Sequence, residues 1–356
     1  MIRKTYHLEI ISPCFCGGAE PNQQAEIRPS SIRGQLRWWF RVLGGFKLLS
    51  PMSVRDQEAM IFGSTAGDEG NAGKLIVRAM PENILCGRKD SDALGHMPFS
   101  DSAYLTFPMQ SRQNQDGSRG VLVSGRFEIS LIWSGSQSLV PSLQALMAVF
   151  ANLGSLGFRS RRAMGALAPL SMNLPSSGWQ EFFQQSGGIS VQSMPASSST
   201  DAISKLGGWL RRWRSHGRTR DHSANQNDKT KPPLNCGFNF AKRDHDIGYG
   251  LQAVLNNPAF RPALGLPIIQ RTNNGTRQWD YEKGNALLPK GRFASPVILR
   301  PHKAANGNWL ALVIFVEARQ WPVGKQVFLN GQPRAVSLDL YNAMKADAPG
   351  FLRPFP

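Results

Sequence analysis

The chain has 356 residues, which suits two domains of average size, each with its own core. It carries 41 Lys and Arg against 24 Asp and Glu, a formal charge of +17, so we expect an anionic partner. Nucleic acid is the first candidate, ahead of an anionic membrane surface or an acidic protein. The longest apolar run, Trp309 to Val316, is too short for a transmembrane helix, and the N-terminus lacks the apolar region of a signal peptide. These features predict a cytoplasmic protein.

The first half of the chain predicts alternating strands and helices. Tyr6, Leu8 and Ile10 alternate with their neighbours as in a strand, and a helix beginning near Pro29 follows. Further strands are expected at residues 74–80 and 126–133, a helix at 139–153 and a closing strand at 166–172. The order strand, helix, strand, strand, helix, strand is that of a ferredoxin-like unit. We therefore assign residues 1–175 to such a unit.

Residues 176–356 predict a second α+β unit whose internal order the pattern leaves open. A Ser-, Gln- and Gly-rich stretch at 174–199 indicates a connector, and residues 202–216 predict a helix. A polar stretch with few large apolar residues predicts a basic, partly mobile insertion around 217–246.

Two strands of this second unit are expected at 296–299 and 309–316, joined by a turn at 302–308. The predicted fold class is α+β, with two ferredoxin-like, RRM-like units fused in tandem and carrying loop insertions.

A row of arginines marks the first predicted helix, in which Ser30 or Ser31 can accept hydrogen bonds from first-turn N–H groups. At about 100° per residue, Arg33, Arg37 and Arg41 share about one quarter of the helix circumference, and the apolar residues fill a separate arc. Residues 27–55 contain no acid that could pair with the row. External phosphates are therefore favoured as partners, and a solvated helix face is the structural alternative. The candidate binding residues here are Arg28, Ser31, Arg33, Gly34, Arg37 and Arg41.

Two further basic segments are candidate anion sites. The loop at 154–165, GSLGFRSRRAMG, combines glycines, which allow positive φ and close backbone approach, with three arginines. The helix at 202–216 interleaves arginines with Trp209 and Trp213, whose spacing of four favours core packing for the tryptophans. The arginines are assigned to RNA or to a neighbouring subunit. The candidate residues of the two segments are Gly157, Arg159, Arg161, Arg162, Arg211, Arg212 and Arg214.

Cysteines and histidines give no metal-binding pattern. Cys14 and Cys16 are one residue apart, too close for a zinc knuckle, and no second pair accompanies them. The six histidines form no i, i+4 pair with a carboxylate partner. We expect reduced thiols, no structural metal and no cofactor.

The arginine helix and the glycine- and arginine-rich loop carry a family resemblance. The sequence EIRPSSIRGQLRWWFR after a first strand, followed by that loop before the last strand, resembles the RAMP superfamily of CRISPR proteins. Residues Glu26 to Arg41 are more closely similar to the subunit-one family of the Cmr module, the type III-B RNA-guided effector. Arg292 to Pro301, RFASPVILRP, is similar to a segment of that family's second half. One departure is Ala163, which stands where the RAMP loop usually has glycine, so the loop's positive φ is in question.

The resemblance implies two fused RAMP units without catalytic residues. It implies binding to the 3′ part of the guide RNA, with target RNA as a further ligand, and contacts with other RAMP subunits of the Cmr complex in antiviral defence. Target cleavage would belong to other subunits. Arginines and backbone amides that hold phosphates regardless of sequence suit a protein whose specificity comes from guide base pairing.

Two other functions are weighed against this one. A metal-independent endoribonuclease would use a histidine as general base beside arginines, with His7, His216, His222 and His245 as candidates. The Asp-His-Asp run at 244–246 is weak as a metal site. A sequence-specific DNA-binding regulator is disfavoured, because Trp38 and Trp39 stand where short polar base-reading residues are expected.

Overall fold

The structure, a computed structural model, describes residues 1–20, 24–65, 70–87, 105–106, 120–170, 188–215, 240–250, 256–266, 268–272, 275–283, 291–346 and 353–354. No helix in these ranges is long and apolar enough to cross a membrane. The N-terminal part contains β1 (Ile2–Ile10), α1 (Pro29–Val42), α2 (Val54–Phe62), β2 (Leu75–Gly87), β3 (Val121–Trp133), α3 (Val140–Leu153) and β4 (Leu167–Pro169).

The N-terminal sheet is antiparallel, with the strand order β2-β3-β1-β4. Tyr6 pairs with Ile129 and Leu8 with Phe127, and these side chains are buried in one core with residues of α1 and α3. The opposite face, with Thr5 and His7, is more exposed, and among the described residues it carries a small apolar cluster of Ile11, Ala166 and Ala168. The predicted ferredoxin-like order and the inward alternation of β1 are confirmed.

Helix α2 lies between α1 and β2 and was not predicted. Its N-terminus is capped by Ser53, whose Oγ accepts a hydrogen bond from Asp56 N at 3.2 Å. Its last residue, Phe62, is followed by Gly63 at φ +81°. The capping pair Ser53 and Asp56 is the sequence signal that identifies this helix.

The rest of the described chain forms two more sheets. Its elements are β5 (Ile189–Ala196), α4 (Ser199–Ser215), α5 (Phe240–Tyr249), β6 (Ile268–Thr272), β7 (Gly275–Asp280), β8 (Val297–Lys303), β9 (Trp309–Val316), β10 (Val327–Leu329), β11 (Gln332–Arg334), α6 (Asp339–Ala346) and β12 (Arg353–Pro354). The second sheet has the antiparallel order β12-β5-β9-β8, which places its four strands as in the first sheet. Two ferredoxin-like sheets in tandem agree with the predicted fold class. The predicted domain boundary at 175 and 176 lies outside the described residues and stays a prediction.

Three details of the second half differ from the prediction. The expected connector at 174–199 contains β5, an inner strand of the second sheet, because backbone pairing with β9 forms a strand there without strict apolar alternation. The expected insertion around 217–246 lies outside the described residues up to 239, and from 240 it is the start of α5. Strand β8 continues to Lys303, so the turn before β9 is shorter than expected.

A third sheet, with the order β11-β10-β7-β6, was not predicted at all. It has its own core around Trp279, Trp321 and Val327, joined by Ile247 of α5. Its strands have three to six residues each, so periodicity had little length in which to appear.

The second sheet is buried on both faces, which joins the two units. Ile298 and Ile314 belong to the core of the N-terminal unit, while Leu299 and Val313 pack with Trp209 of α4. The continuous apolar run of β9 is therefore a strand covered on both sides, as such runs indicate. Since the units share one core, the elements of one can position side chains beside those of the other.

Arg300 of β8 is fully buried at this junction. Its Nε donates to Gly154 O at 2.9 Å and its Nη2 to Ala151 O at 3.1 Å, at the C-terminal end of α3, and Nη2 also donates to Leu167 O. A cation at a helix C-terminus interacts favourably with the helix dipole. Burial lowers the pKa of Arg300 to about 9, so the guanidinium remains charged at neutral pH. Part of the RFASPVILRP segment thus ties the second unit to the first.

Candidate nucleic-acid interface

The arginine row of α1 faces α2 along part of its length. Arg33 Nη2 donates to Phe62 O, the last carbonyl of α2. Arg37 Nη2 and Arg41 Nη1 both reach Glu58 Oε1, at 2.7 and 2.9 Å. Two arginines of the row therefore have an acidic partner within the protein, because Glu58 of α2 follows the acid-free stretch 27–55.

One carboxylate serves two guanidiniums, so the pair keeps a net positive charge. The side chain of Glu58 is 10% exposed, whereas those of Arg37 and Arg41 are 37% and 40% exposed. The carboxylate therefore lies beneath the arginines and holds them while part of each side chain stays open to solvent. This arrangement fits a preorganised anion-binding surface, because ordering the arginines in advance lowers the entropic cost of binding.

The loop after α3 is held in its shape by left-handed residues and by the second unit. Gly157 and Gly165 have φ +79° and +68°, and a Cβ on Gly157 would lie 2.7 Å from Phe15 O. Ala163 also has positive φ, +66°, and its buried methyl group packs in the second core. Its N–H donates to Leu299 O at 2.9 Å. The loop therefore keeps its turn although alanine replaces the usual glycine, and contact with β8 offsets the strain.

The three loop arginines have different surroundings. Arg159 Nε donates to Leu105 O at 2.6 Å. Arg162 Nη1 donates to Val297 O at 3.0 Å, and its Nη2 to Ser295 Oγ at 3.3 Å, so it ties the loop to the second unit. Arg161 instead lies over the ring of Trp38 in α1, with its Cζ 4.8 Å from the ring centroid. Of the three, Arg161 is the one that the structure places against the arginine helix.

Arg319 of the second unit connects the two basic segments. It ends a short 3₁₀ helix, Glu317–Arg319, directly after β9. Burial lowers the pKa of Arg319, and the charge of Arg41 lowers it further while Glu58 opposes this effect. Burial also lowers the pKa of Arg161 to about 10, with the charge of Arg319 as the second cause. Arg37 and Arg41 meet at Glu58, and the charge of Arg41 acts on Arg319 and that of Arg319 on Arg161, so we call Arg37, Arg41, Arg161 and Arg319 the basic band.

The remaining candidates on α1 lie at its N-terminal end. Arg28 occupies the N-cap position without a side-chain hydrogen bond, and Pro29 is the first helical residue. Ser31 therefore lies inside the helix, and the predicted capping by Ser30 or Ser31 is wrong, because Pro29 sets the helix start one residue earlier. Gly34 is exposed, and a Cβ there would meet nothing within 4 Å.

In α4, the prediction that the tryptophans pack in the core is confirmed. Trp209 and Trp213 are 1% and 2% exposed and lie edge to face with ring centroids 6.4 Å apart. Arg211, Arg212 and Arg214 belong to the same helix, but their side chains lie outside the part of the chain that the structure describes. Their assignment to RNA stays a prediction.

Among the candidate histidines, His7 is the one whose side chain the structure describes, and it does not lie at the basic band. His7 lies on the outer face of the first sheet, with Nδ1 3.3 Å from Glu82 Oε1. His216 and His222 lie outside the described residues, as does the side chain of His245. Asp244 is buried and accepts hydrogen bonds from Phe260 N at 3.0 Å and Arg261 N at 2.7 Å. Both of its carboxylate oxygens are therefore hydrogen-bonded within the fold. Across the described residues, no group of three or more His, Cys, Asp and Glu side chains could hold a metal ion.

Sequence reasoning missed three members of this surface. Glu58 lies on α2, which the capping pair of Ser53 and Asp56 would have revealed. The sequence indicates for Trp38 only that it is unsuited to reading DNA bases. Nothing in its position along the chain indicates that Arg161 lies over its ring. Arg319 has no local pattern that marks it, since its place depends on the packing of the two units.

These features define an α+β protein of two ferredoxin-like sheets with a basic helix and a glycine- and arginine-rich loop in the first. Residues 7–168 match the model of the RAMP superfamily, so this part of the chain is similar to that superfamily. The chain is also similar to subunits of the Cmr module. The Cmr subunit Cmr1-2 of Pyrococcus furiosus is 28% identical over 184 residues, which are 47% of this chain and 95% of that protein.

Two other relatives extend the comparison. Cmr1-1 of the same organism is 27% identical over 174 residues, 47% of this chain and 44% of that protein. The crystal structure of apo Cmr1 from Pyrococcus furiosus superimposes with a TM-score of 0.55 over 98% of both chains, at 14% sequence identity. The likeness at this identity shows a shared fold over nearly the full length.

Proposed function

We propose that this chain is a non-catalytic subunit of a type III-B CRISPR effector complex that binds the phosphate backbone of the guide RNA. The observation that carries the proposal is the basic band, in which Arg37 and Arg41 share the single carboxylate of Glu58 while Arg319 and Arg161 add two further positive charges. Guanidinium groups that are held close together with excess positive charge are stabilised by a ligand whose negative groups are similarly spaced. RNA provides one negative phosphate per nucleotide, and the chain's charge of +17 favours it over a neutral surface.

The similarity to Cmr subunits supports the finer parts of this proposal. In it, the chain contacts the 3′ part of the guide RNA, with target RNA as a second ligand, and neighbouring RAMP subunits complete the binding channel. Sequence readout is not required of this chain, because base pairing in the guide supplies specificity. Contacts to phosphate alone are sufficient for such a role.

The metal-independent nuclease receives no support from the described geometry. His7, the candidate base with a described side chain, lies on the outer sheet face, whereas α1 packs on the inner face. A general base must reach the reacting hydroxyl directly or through one water. His302 contacts Arg300 at the junction, and burial lowers the pKa of His302 to about 3, so it stays neutral at physiological pH.

A competition assay with the full chain tests the proposed function. We expect labelled single-stranded RNAs of unrelated sequence to bind with similar affinity, and binding to weaken steeply as salt rises. Unlabelled single-stranded RNA should displace the probe at lower nucleotide concentration than duplex DNA does. Equal displacement by duplex DNA would contradict the proposal, and so would shortening of repeat RNA in metal-free buffer on a denaturing gel.

Replacing Gly34 by alanine separates fold stability from RNA binding. Because a Cβ at this exposed helix position meets nothing, Gly34→Ala should raise the free energy of unfolding by about 0.5–1 kcal/mol. If RNA approaches the α1 backbone here, the added methyl group should weaken RNA affinity about three- to tenfold. Urea denaturation and fluorescence anisotropy measure the two quantities on the same sample.

Gly208 of α4 provides the comparison, since a Cβ there also meets nothing within 4 Å. Gly208→Ala should give a similar gain in stability. A more stable Gly34→Ala variant with unchanged RNA affinity would remove this part of α1 from the proposed interface. A loss of affinity in Gly208→Ala would extend the interface to the arginines of α4.

A further inference from the structure

A small polar pocket lies between α1 and the loop that follows α3. Its volume is about 60 Å³, and its polar lining comes from Gln35 of α1 and from Ser155, Ser160 and Arg161 of the loop. Trp38 and Trp39 form an aromatic wall. Because one water needs about 10–15 Å³, the pocket has room for a group of about four to six heavy atoms. That is the size of a phosphate group.

Ser155 supplies a polar group in this pocket whose hydrogen bonding is incomplete. The residue is 4% exposed, and among the described residues no donor or acceptor lies within hydrogen-bond distance of its Oγ. Buried hydroxyl groups are nearly always hydrogen-bonded in folded proteins, so an unpaired one requires an explanation. A ligand that enters the pocket and accepts a hydrogen bond from this hydroxyl provides one.

Arg161 makes the pocket electropositive. Its guanidinium lies over the Trp38 ring at 4.8 Å, and the described part of the chain places no carboxylate in an ion pair with it. An arginine held flat against an aromatic ring still presents N–H donors along its edge. The lining can donate from a guanidinium, two hydroxyls and an amide, which matches a ligand with several acceptor oxygens and negative charge.

We propose that this pocket binds one backbone phosphate of the RNA, with Arg161 and Ser155 as donors. The proposal rests on the proposed function and adds to it a defined phosphate position and the residues Gln35, Ser155 and Ser160. RNA is favoured over a single acidic side chain of a neighbouring subunit because the pocket is accompanied by the other arginines of the basic band, Arg319, Arg41 and Arg37. Several positive charges suit a ligand that carries successive phosphates.

The test measures RNA binding by the full chain and its Ser155→Ala and Arg161→Gln variants. Ser155→Ala should weaken the affinity for single-stranded RNA about three- to tenfold with no loss of unfolding free energy, because no described residue pairs with the hydroxyl. Arg161→Gln should weaken affinity about tenfold and reduce the slope of log affinity against log salt by about one. The matched controls are Ser134→Ala and Arg78→Gln, at exposed positions of the first unit, and neither should change RNA affinity.

A second measurement identifies the ligand group. An RNA series in which one phosphate at a time is replaced by an uncharged methylphosphonate should contain a position that weakens binding to the wild-type chain. The same replacement should cause no further loss in Arg161→Gln or in Ser155→Ala, since the contact is already absent. Such non-additivity at one shared position is the result that supports a phosphate in this pocket.

Four outcomes would overturn the proposal. Wild-type affinity in both Ser155→Ala and Arg161→Gln would reject the pocket, while weakened binding in a variant lacking Arg37 and Arg41 would leave the proposed function standing. Strictly additive losses at every methylphosphonate position would exclude a phosphate contact. Unchanged RNA affinity with weakened binding to a neighbouring subunit would assign the pocket to a protein partner. Absence of salt-dependent RNA binding by the wild-type chain would reject the proposed function and the pocket together.

Discussion

Replacing Arg300 by leucine should lower the free energy of unfolding by about 3–5 kcal/mol. The guanidinium satisfies the carbonyls of Gly154 and Ala151 at the end of α3 and that of Leu167 in β4. A buried ion can often be replaced by an apolar side chain when its partners are replaced as well. The partners of Arg300 are backbone carbonyls, which a substitution does not remove. Leucine would leave the carbonyls buried without donors. Urea denaturation followed by tryptophan fluorescence measures the loss.

Lys303, on the same strand, provides the matched control. Its Nζ is 3.0 Å from Glu9 Oε2, and its side chain is 37% exposed. Because exposed ion pairs contribute little, Lys303→Met should cost less than about 1 kcal/mol. Equal losses in the two variants would mean that the α3 carbonyls find other donors and that Arg300 does not hold the units together.

The topology of the first unit could be predicted because local patterns decide it. Inward alternation of Tyr6, Leu8 and Ile10 sets the face of β1, and Pro29 sets the start of α1. The spacing of Leu143, Leu146 and Phe150 places one face of α3 in the core. Each of these signals acts within one element, so it can be read without knowledge of the rest of the chain.

The second unit resisted prediction because its decisive interactions are distant in sequence. Strand β5 contains Ser and Gln among its apolar residues, and what makes it a strand is its register with β9, in which Ile189 pairs with Val316. The third sheet combines β6 and β7 with β10 and β11, and two strands of the second sheet, β8 and β9, lie between these pairs in the chain. Composition does not reveal such pairing.

The candidate site was also predictable only where the signal lies within one element. Helical periodicity correctly placed Arg37 and Arg41 together, since both meet the same carboxylate oxygen. The identity of that partner, Glu58, depends on how α2 packs on α1, and the place of Arg319 depends on how two units pack. The arginine row was therefore predictable as a feature of one helix, but its charge balance was a property of the tertiary structure.

Removing the charges of Arg37 and Arg41 together should weaken RNA binding about 50- to 100-fold and reduce the salt slope by about two. Each arginine is expected to contribute one charge-assisted phosphate contact, and such contacts contribute about tenfold each. Both residues are replaced by glutamine, which removes the charge and keeps a polar, flexible side chain. Fluorescence anisotropy at four salt concentrations with two unrelated single-stranded RNAs measures affinity and slope, and the loss should be the same for both sequences.

Glu58 provides a control with the opposite sign. Glu58→Gln removes the carboxylate that neutralises the pair, so RNA affinity should rise a few-fold and the salt slope should steepen by about one, while the fold loses about 1–3 kcal/mol of stability. Glu82→Gln removes an equal charge from the outer sheet face and should leave RNA binding unchanged. If the arginines act only as structural partners of Glu58, both the arginine double variant and Glu58→Gln lose stability and neither changes RNA affinity. Opposite shifts in affinity for the two variants therefore separate an RNA-binding surface from a purely structural ion pair.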